Sequence, residues 1–567
     1  MASLTAKKIH GHTYWYLRES AWVDGKSKIV KTTYLGTSDE VAAKLGKGSS
    51  GLQVVPGAPI YDFGAVVALF SLAERLRLLE LIDRHVAKRS STGPSVGTYL
   101  LLAALNRAVA PRSKAQLGEW FEGTSLARLM KLSANQLTSQ RFWDNMDRVS
   151  EADIVAIERE LSAQVIRDFN LDRRCLFYDA TNFFSCIDSF NARSTLAQRG
   201  KSKEGRDNLR ILGLALLVTG DFEVPLFHYL YPGNHNDPTS FRSVVLELVD
   251  RYRQLAQGAE AITIVLDKGN NTEDALVELG SAYHVVGSLV PGHHAELLAV
   301  PKQQFRRLDA ARFPVETTAF RTTKHVFGRA YTVVVTYNDN LFEAQTKTLE
   351  REAAKRKIRL RDLQLTLTRA RRATSKRARR SAASVRKAVD GILRARHMKD
   401  LFVVKVVGKK GGPTLHFQFN HRAYLKLQRS LLGKTLLFTD NEQWSDEEIV
   451  AAYRGQHHVE NAFRQMKDVR HVCFRPAHHW TDQKLMVHAF TCVLALLLCA
   501  LLRRELAQNG VQLSVRRMLA TLGGINEVQV ALSTGRGRPR ISRTHSELEP
   551  PAKQLFQLLQ LDRYLAS

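Results

Sequence analysis

The chain has 567 residues, 44% apolar and 24% charged, and its 83 Lys and Arg against 55 Asp and Glu give a formal net charge of +28. This length exceeds what a single hydrophobic core supports, and the composition excludes an intrinsically disordered chain. The positive charge favours a polyanionic partner such as nucleic acid, and the alternative is a basic surface that only keeps the protein soluble.

The five cysteines form no CxxC pair, which argues against a disulfide or zinc framework. The first residues, MASLTAKKIHGHTYWYL, contain no apolar signal segment, so we expect a protein that stays in the cytoplasm. The apolar run 485–502 approaches the length of a membrane span, but it contains His488 and Thr491 and stands alone. We therefore predict a buried core helix and no membrane partner. We interpret three histidine pairs as surface or DNA-facing residues: His293-His294, His457-His458 and His478-His479.

The first 170 residues fall into two predicted parts. Residues 9–36 alternate apolar and polar around a turn at Asp24-Gly25, which predicts a β-hairpin, followed by a Gly/Pro-rich linker, in a domain 1–60. From 61 to 170 apolar residues recur every three or four positions, which predicts helices. This helical domain is a candidate for DNA binding, although its charge pattern fits an ordinary helical bundle equally well.

The next part, 171–300, has an informative order of elements. Strands are predicted at 174–181, 209–218 and 223–231, the last two joined by a tight turn. Asp237-Pro238 is a strong helix start, and a strand at 261–267, a helix at 272–280 and a strand at 283–290 follow. Three strands in a meander followed by alternating helices and strands predict an α/β fold with a ribonuclease H-like core and a mixed sheet.

Residues 301–433 do not continue that pattern, and we predict an insertion in the core. It is strand-like over 302–345, while 347–399 is helix-favouring and holds 19 Lys and Arg against 4 Asp and Glu, a net charge of +15. This run predicts a basic helical arm, and the alternative is a solvated helix without a partner. The second part of the core is predicted at 434–505, followed by a C-terminal basic region, 506–567, whose GRGRPR at 535–540 resembles an AT-hook.

Two aspartates are predicted to lie at strand ends. Asp179 ends the first strand in FYDAT, and Asp267 ends the fourth in IVLDKG. In the predicted order those two strands are neighbours, so the carboxylates come close together. Carboxylates at such places are costly unless paired or bound to metal, and their hard oxygen atoms select Mg²⁺ or Mn²⁺. A pair of these ions also supplies phosphoryl-transfer catalysis.

A third carboxylate lies in YRGQHHVENAFRQMK. The capping box Ser445-Asp446-Glu447-Glu448 starts a predicted helix in which Tyr453, Gln456, Glu460, Phe463 and Lys467 share one face. That face is aromatic, acidic and basic, where a packing helix would show an apolar stripe. The alternative is that Glu460 makes surface ion pairs with Arg464 or Lys467.

These residues together resemble the DDE transposases of bacterial insertion sequences, in the branch with a Tyr-Arg-Glu-Lys signature. The resemblance also takes in YPGNHNDPTSF, YLG and HAFTCVLALLL, and so covers most of the chain. It implies that Asp179, Asp267 and Glu460 hold two Mg²⁺ or Mn²⁺ ions that serve to cleave transposon ends and join the 3′-hydroxyl to target DNA. The implied partners are the terminal inverted repeats, the target duplex and a second copy of the chain, and the implied location is the bacterial cytoplasm, in association with the nucleoid. The predicted DNA-binding residues are Tyr453, Arg454, Gln456, Arg464, Lys467 and Lys268.

The chain departs from the family pattern at two places. Gln456 stands where the family has Arg, with Arg454 two residues earlier on another face. None of the six Trp residues lies in 301–433, where some relatives use one to support a DNA hairpin, so hairpin formation stays open with Phe327 and Tyr331 as substitutes. Two alternative functions also remain: a catalytically inactive DNA-binding protein, and a structure-specific nuclease without strand transfer.

Overall fold

The computed structural model divides the chain into two compact units, one formed by Met1–Ile262 with Gly455–Ser567 and the other by Thr263–Arg454. The residues it describes are all except 1, 10–11, 24–25, 38–39, 41–52, 55–58, 87–92, 189, 201–207, 236–237, 254, 256–261, 268–270, 272, 281–282, 373–379, 409–411, 476, 534–539 and 567. The first boundary falls inside the predicted first part of the core, and the six-part division predicted from sequence stays a prediction.

The chain up to Ile262 contains nine strands and eight α-helices among its described residues. The strands are β1 Ala2–Ile9, β2 His12–Val23, β3 Lys26–Thr37, β4 Gln53–Val54, β5 Ile60–Asp62, β6 Cys175–Ser185, β7 Gln198–Arg199, β8 Arg210–Thr219 and β9 Pro225–Pro232. The helices are α1 Gly64–Arg75, α2 Leu78–His85, α3 Val96–Val109, α4 Leu117–Glu122, α5 Leu126–Leu129, α6 Ser139–Met146, α7 Glu151–Asp168 and α8 Pro238–Arg253.

The second unit follows with the strands β10 Thr263–Val265, β11 His284–Ser288, β12 Arg306–Arg307, β13 Thr317–Val326, β14 Arg329–Asn338, β15 Phe402–Val407, β16 Thr414–Phe419 and β17 Lys434–Thr439. Its helices are α9 Glu273–Leu279, α10 Ala295–Leu298, α11 Asp339–Arg372, α12 Ala382–Ile392, α13 Met398–Leu401, α14 His421–Ser430 and α15 Asp446–Arg454. From Gly455 the first unit resumes with α16 His457–Lys467, α17 Asp482–Gln508, α18 Val515–Leu522, β18 Asn526–Ser533, β19 Arg540–His545, α19 Pro550–Leu558 and α20 Arg563–Ala566.

The order β6, β8, β9, α8, β10, α9, β11 is the element order predicted from the sequence. Within the first unit β8 pairs antiparallel with β6, β7 and β9. The chain is therefore mixed α/β, as expected, while the ribonuclease H-like assignment stays a prediction. The N-terminal hairpin is present as β2 and β3, with β1 as a further antiparallel strand. Asp24-Gly25, Asp237 and most of GRGRPR lie outside the described residues.

Helix α17 forms the centre of the first unit. Among the described helices it alone is long and apolar enough to cross a membrane. Of its most apolar 18-residue stretch, 94% is buried inside the protein. It packs against α1, α3, α16, α18 and β9. The prediction of a buried core helix at 485–502 is confirmed.

Basic side chains are buried next to α17. Lys114 lies with its Nζ 4.7 Å from the centre of the Phe142 ring, and the rings of His479 and His488 stack at 4.3 Å. Arg107 donates to the carbonyl of Arg112 at 2.7 Å. Burial lowers the pKa of Lys114 to about 7 and the pKa values of both histidines well below their usual range. The interpretation of His479 as a surface residue is therefore wrong.

The sheet of the second unit has the strand order β12, β13, β14, β17, β11, β10. Only β10 and β11 are parallel, and the other pairs are antiparallel. Apolar residues of this sheet pack against Ile449 and Val450 of α15. This packing joins α15 to the second unit.

The predicted insertion contains its own hydrophobic core. Helices α11 to α14 and the hairpin β15–β16 bury one apolar cluster, which includes Leu360, Val389, Leu401, Phe402 and Leu415. The basic run is helical as predicted, but α11 carries an apolar stripe that packs. The apolar face of this helix is therefore buried, while most of its described basic residues stay exposed, and the alternative of a solvated basic helix without a partner is not tested.

The helix predicted through YRGQHHVENAFRQMK is broken in the middle. The capping box is present: Ser445 N–H donates to Glu448 Oε2 at 2.8 Å, and Glu448 N–H donates to Ser445 Oγ at 3.2 Å. However, Gly455 and Gln456 form a turn between α15 and α16, and the boundary between the units falls there. Glycine disfavours a helix interior by about 1 kcal/mol, which permits the break. The single continuous helix face predicted from Tyr453 to Lys467 is therefore wrong.

Candidate active site

Asp179 lies in the middle of a strand. It is the fifth residue of β6 and is half-buried, and its Oδ1 accepts a hydrogen bond from Ala180 N–H at 2.7 Å. The prediction that it ends the strand is wrong, because Phe183, Phe184 and Ser185 continue the strand and are buried. Because the residues before and after Asp179 are paired with β8, the backbone at Asp179 is held in place.

Helix α16 packs on the face of β6 that carries Asp179. Alternate residues of a strand share a face, so Phe177, Thr181 and Phe183 lie on the same side as Asp179. The ring of His458, near the start of α16, lies 5.2 Å from the Phe177 ring. At the other end of the helix, Lys467 Nζ donates to Thr181 Oγ1 at 2.9 Å and lies 5.6 Å from the centre of the Phe183 ring. These contacts lie on either side of Asp179 along the strand.

Gln456 ties the start of α16 to β6. It is only 8% exposed, and its Nε2 donates to the carbonyl of Tyr178 at 3.0 Å, one residue from Asp179. An amide in this place holds the helix against the strand. The predicted DNA contact at Gln456 stays a prediction, but the described side chain is directed into the protein.

Glu460 lies on the same flank of α16 as Gln456 and Lys467. At 100° per residue, positions 456, 460 and 467 fall within about 40° of one another around the helix. Because Gln456 and Lys467 both contact β6, this flank borders the strand that carries Asp179. Glu460 is exposed and forms no ion pair with any residue that the structure describes, so the alternative in which it pairs with Arg464 or Lys467 at the surface is not seen.

The remaining predicted residues belong to the second unit, except Arg464, which is exposed on α16. Asp267 follows β10 by two residues and is exposed, as expected of a strand end. Tyr453 Oη donates to Ser288 Oγ at 2.8 Å. Arg454 donates to Thr317 Oγ1 at 3.0 Å, and its guanidinium lies 5.0 Å from the Phe313 ring centre. Lys268 lies outside the described residues.

Glu223 is a site residue that the sequence does not reveal. It lies in the loop between β8 and β9, is 4% exposed, and has a left-handed backbone with φ of 60°. Its carboxylate accepts hydrogen bonds from Asn461 of α16 at 3.4 Å and from Arg503 of α17 at 2.6 Å, with His458 Nδ1 3.5 Å away. It thereby fixes the flank of α16 opposite Glu460.

The charge of Glu223 depends on these partners. Burial alone raises the pKa of this carboxyl, but its contacts with His458, Arg503 and Asn461 lower the pKa to about 2. A glutamate in a polar turn sequence, TGDFEVP, is ordinarily expected at the surface, so no sequence signal marks it.

Two tyrosines lie on the other face of the sheet, behind Asp179. Burial, and then the charge of Asp179, raises the pKa of Tyr231 to about 12, and burial raises that of Tyr178 still more clearly. The Tyr231 ring lies over Gly213, where a Cβ atom would come within 2.1 Å of it. The side of β6 away from α16 is therefore packed at these tyrosines, and Asp179 lies on the side that α16 covers.

The donor atoms of this site suit a hard divalent cation. Asp179 and Glu460 contribute carboxylate oxygens, which Mg²⁺ and Mn²⁺ prefer. Within the described part of the chain, no group of three or more His, Cys, Asp or Glu side chains is arranged to hold a metal ion. The metal site therefore stays a prediction, with Asp179 and Glu460 in the first unit and Asp267 in the second.

Comparisons with known proteins give no sequence match and a distant structural likeness. The sequence matches no protein-family model and no curated protein. The structure is similar to that of a piggyBac transposase synaptic complex with hairpin DNA, determined by cryo-electron microscopy, with a TM-score of 0.33 and 9% sequence identity over 82% of this chain and 80% of that chain. A similarity of this size does not establish a common fold. Membership in the bacterial insertion-sequence branch stays a prediction.

Proposed function

We propose that this protein is a metal-dependent DNA transposase that cleaves transposon ends and joins the 3′-hydroxyl to target DNA. The observation that supports it best is the anchoring of α16 on β6 at Gln456 and Lys467, with Glu460 on the bordering flank and Asp179 on the covered face. A carboxylate on a rigid strand and another on a helix held to that strand form a preorganised oxygen donor set.

In this proposal Asp179, Asp267 and Glu460 hold two Mg²⁺ or Mn²⁺ ions, which when bound activate water and stabilise the charge that develops on the transferred phosphate. Asp179 keeps its carboxylate in one place because its strand is paired. Glu460 depends on the placement of α16, to which Glu223 and Gln456 contribute. Lys467, partly exposed beside Thr181, supplies a positive charge to a phosphate of the bound strand.

The test uses the full-length protein with Mg²⁺ and a labelled duplex that carries the inverted repeats flanking the coding region. Asp179→Asn, Asp267→Asn and Glu460→Gln are each expected to lower end cleavage by about 100-fold or more while leaving DNA binding intact, because each removes a metal ligand. Asp250→Asn, which changes an exposed carboxylate on α8, is the matched control and should cleave normally.

A joining assay with a pre-cleaved 3′-hydroxyl end separates the alternatives. A transposase yields target-joined product, whereas a nuclease only nicks and an inactive descendant only binds. Full cleavage by any of the three carboxylate variants would remove that residue from the proposed site.

A further inference from the structure

The long helix α11 divides into two halves of different charge. Residues 339–356 contain four acidic and four basic residues, a net charge of zero, whereas 357–372 contain six basic residues and one acidic residue, a net charge of +5. The positive charge of α11 is therefore concentrated in its C-terminal half.

The two halves also differ in how their charges are paired. In the first half, Lys347 lies 3.3 Å from Glu343, and Lys355 and Arg356 lie 2.9 and 3.0 Å from Glu352. In the second half, Lys357, Arg359, Arg361 and Arg369 are exposed, and none forms an ion pair with a residue that the structure describes. Their charge is therefore not neutralised within the described protein.

The basic side chains of this half are exposed because the leucines of the same helix pack inward. Leu360, Leu363 and Leu367 of the same half are buried in the core of the insertion. Taken at about 100° per residue, Arg361 and Arg369 point away from these leucines, within about 55° of the opposite direction, and Lys357 and Arg359 lie on the two flanks of the helix. Helix α12 packs on the same core through Val385 and Val389 and adds two exposed bases. We call the resulting surface the cationic end; it consists of Lys357, Arg359, Arg361, Arg369, Arg386 and Lys387.

We propose that the cationic end binds the phosphate backbone of a DNA duplex outside the candidate active site. Lys357 and Arg369 are about 18 Å apart along the helix axis, a length that matches several successive phosphates. Lys and Arg side chains on a rigid helix, without ion pairs to the described protein, can contact phosphates and so position the DNA without reading its sequence. The inference extends the proposed function by a second DNA contact region, but it does not depend on catalysis.

A membrane surface fits this helix less well. A helix that lies in a bilayer needs a continuous apolar face to insert. The apolar face of α11 is already buried in the insertion, and among its described residues Ile358 and Leu365, 62% and 47% exposed, are the large apolar side chains on the exposed side. The cationic end therefore attracts a partner by its charge and not by an apolar face.

The experiment measures binding of the full-length protein to a 40-base-pair duplex of arbitrary sequence, in EDTA, over a range of salt concentrations. The variant K357Q/R359Q/R361Q/R369Q removes the four charges that α11 contributes to the cationic end and is called the cationic-end variant. The matched control K347Q/R351Q/K355Q/K399Q removes the same charge from the same insertion, at bases of which three are paired with carboxylates. Thermal unfolding of both variants checks that they fold.

The cationic-end variant is expected to bind at least about tenfold more weakly at physiological salt, and the slope of log K against log salt should shrink by about 3 to 4, at roughly 0.9 for each lost phosphate contact. The matched control variant should lower the magnitude of this slope by less than about 1. Equal slopes for the two folded variants would overturn the inference. In a parallel titration with phosphatidylserine vesicles, weaker vesicle binding by the cationic-end variant with unchanged DNA binding would also overturn it. The binding assay contains EDTA and needs no catalysis. Its result can therefore be interpreted even if the wild-type protein does not cleave transposon ends.

Discussion

Gln456 illustrates how a family signature and a structural position diverge. The resemblance leads one to expect an arginine there that contacts DNA. The structure instead has a buried amide bonded to the Tyr178 carbonyl beside Asp179. An arginine at 456 would have to bury a charge or displace α16 from β6.

We therefore expect Gln456→Arg to lower the melting temperature and the cleavage activity without strengthening DNA binding. Loss of a hydrogen bond and burial of a charge together cost about 2 kcal/mol or more. Differential scanning fluorimetry and a DNA-binding titration measure the two effects. Tighter binding with unchanged stability would show that position 456 faces DNA after all.

Lys114 makes the stability of the protein depend on pH. Its pKa is about 7 in the folded state against 10.5 ordinarily, because it is buried beside Arg107. Between these values the unfolded chain holds the proton and the folded chain does not, so stability rises with pH, by about 1.4 kcal/mol per unit. Below about pH 7 both states are protonated, and the penalty is fully present.

Lys114→Met should therefore be more stable than the wild type at pH 7, and its stability should change less between pH 7 and 9. Wild type should gain up to about 3 kcal/mol over that range. Urea unfolding at three pH values provides the measurement. Parallel pH profiles for the two proteins would show that Lys114 does not lose its proton on folding.

At the scale of elements, Glu223 controls how α16 is held. With a folded pKa of about 2 against 4.5 ordinarily, its contribution to stability is present above about pH 4.5 and is lost as the pH falls towards 2. The contribution at neutral pH is about 3 kcal/mol by order of magnitude.

Glu223→Gln should lose that contribution and reduce cleavage, because α16 carries Glu460, while DNA binding is largely retained. A double-mutant cycle with Arg503→Gln isolates the pair, which should couple by about 1 kcal/mol or more. Unfolding at pH 3 and pH 7 tests the pH dependence: the difference between wild type and variant should shrink at the lower pH. An identical difference at both values would contradict the assigned ionisation.

On a larger scale, the segment 339–432 is built as a separable module. It has its own apolar core, and it leaves and rejoins the sheet at adjacent points: Asn338 N–H donates to the Gly433 carbonyl at 3.0 Å, and Tyr337 pairs with Lys434. Deleting 339–432 would join Asn338 directly to Gly433, whose φ is already +78°. Asn-Gly between two paired strand residues is a favoured two-residue hairpin turn.

We expect the protein lacking 339–432 to fold, with a hairpin between β14 and β17, and to show the weaker salt dependence of DNA binding predicted for the cationic-end variant. Circular dichroism, a thermal melt and a binding titration test this. Aggregation of the deletion protein, with the point variants well folded, would show that the module stabilises the rest of the second unit.

Much of the element order follows from local sequence. Runs such as LRILGLALLV and EVPLFHYLY have strand composition and turn boundaries, and the capping box at Ser445 satisfies its own backbone donors. The charge split of α11 is also a property of the sequence alone. Such features depend on neighbours within a few residues, so they can be derived without the fold.

Tertiary structure decided the rest, since contacts distant in sequence overrode local signals. Pairing with β8 extended β6 past Asp179, and a hydrogen bond across 278 residues, from Gln456 to Tyr178, accompanies the break that separates Tyr453 from Glu460. From the sequence, Glu223 would be placed at the surface, but in the fold its carboxylate accepts a hydrogen bond from Arg503, which is 280 residues away in the chain. The sequence by itself determined which carboxylates and bases the chain carries and the strands and helices on which most of them lie. Which of them are buried, anchored or left facing solvent was decided only by long-range packing, because burial is a property of the assembled fold.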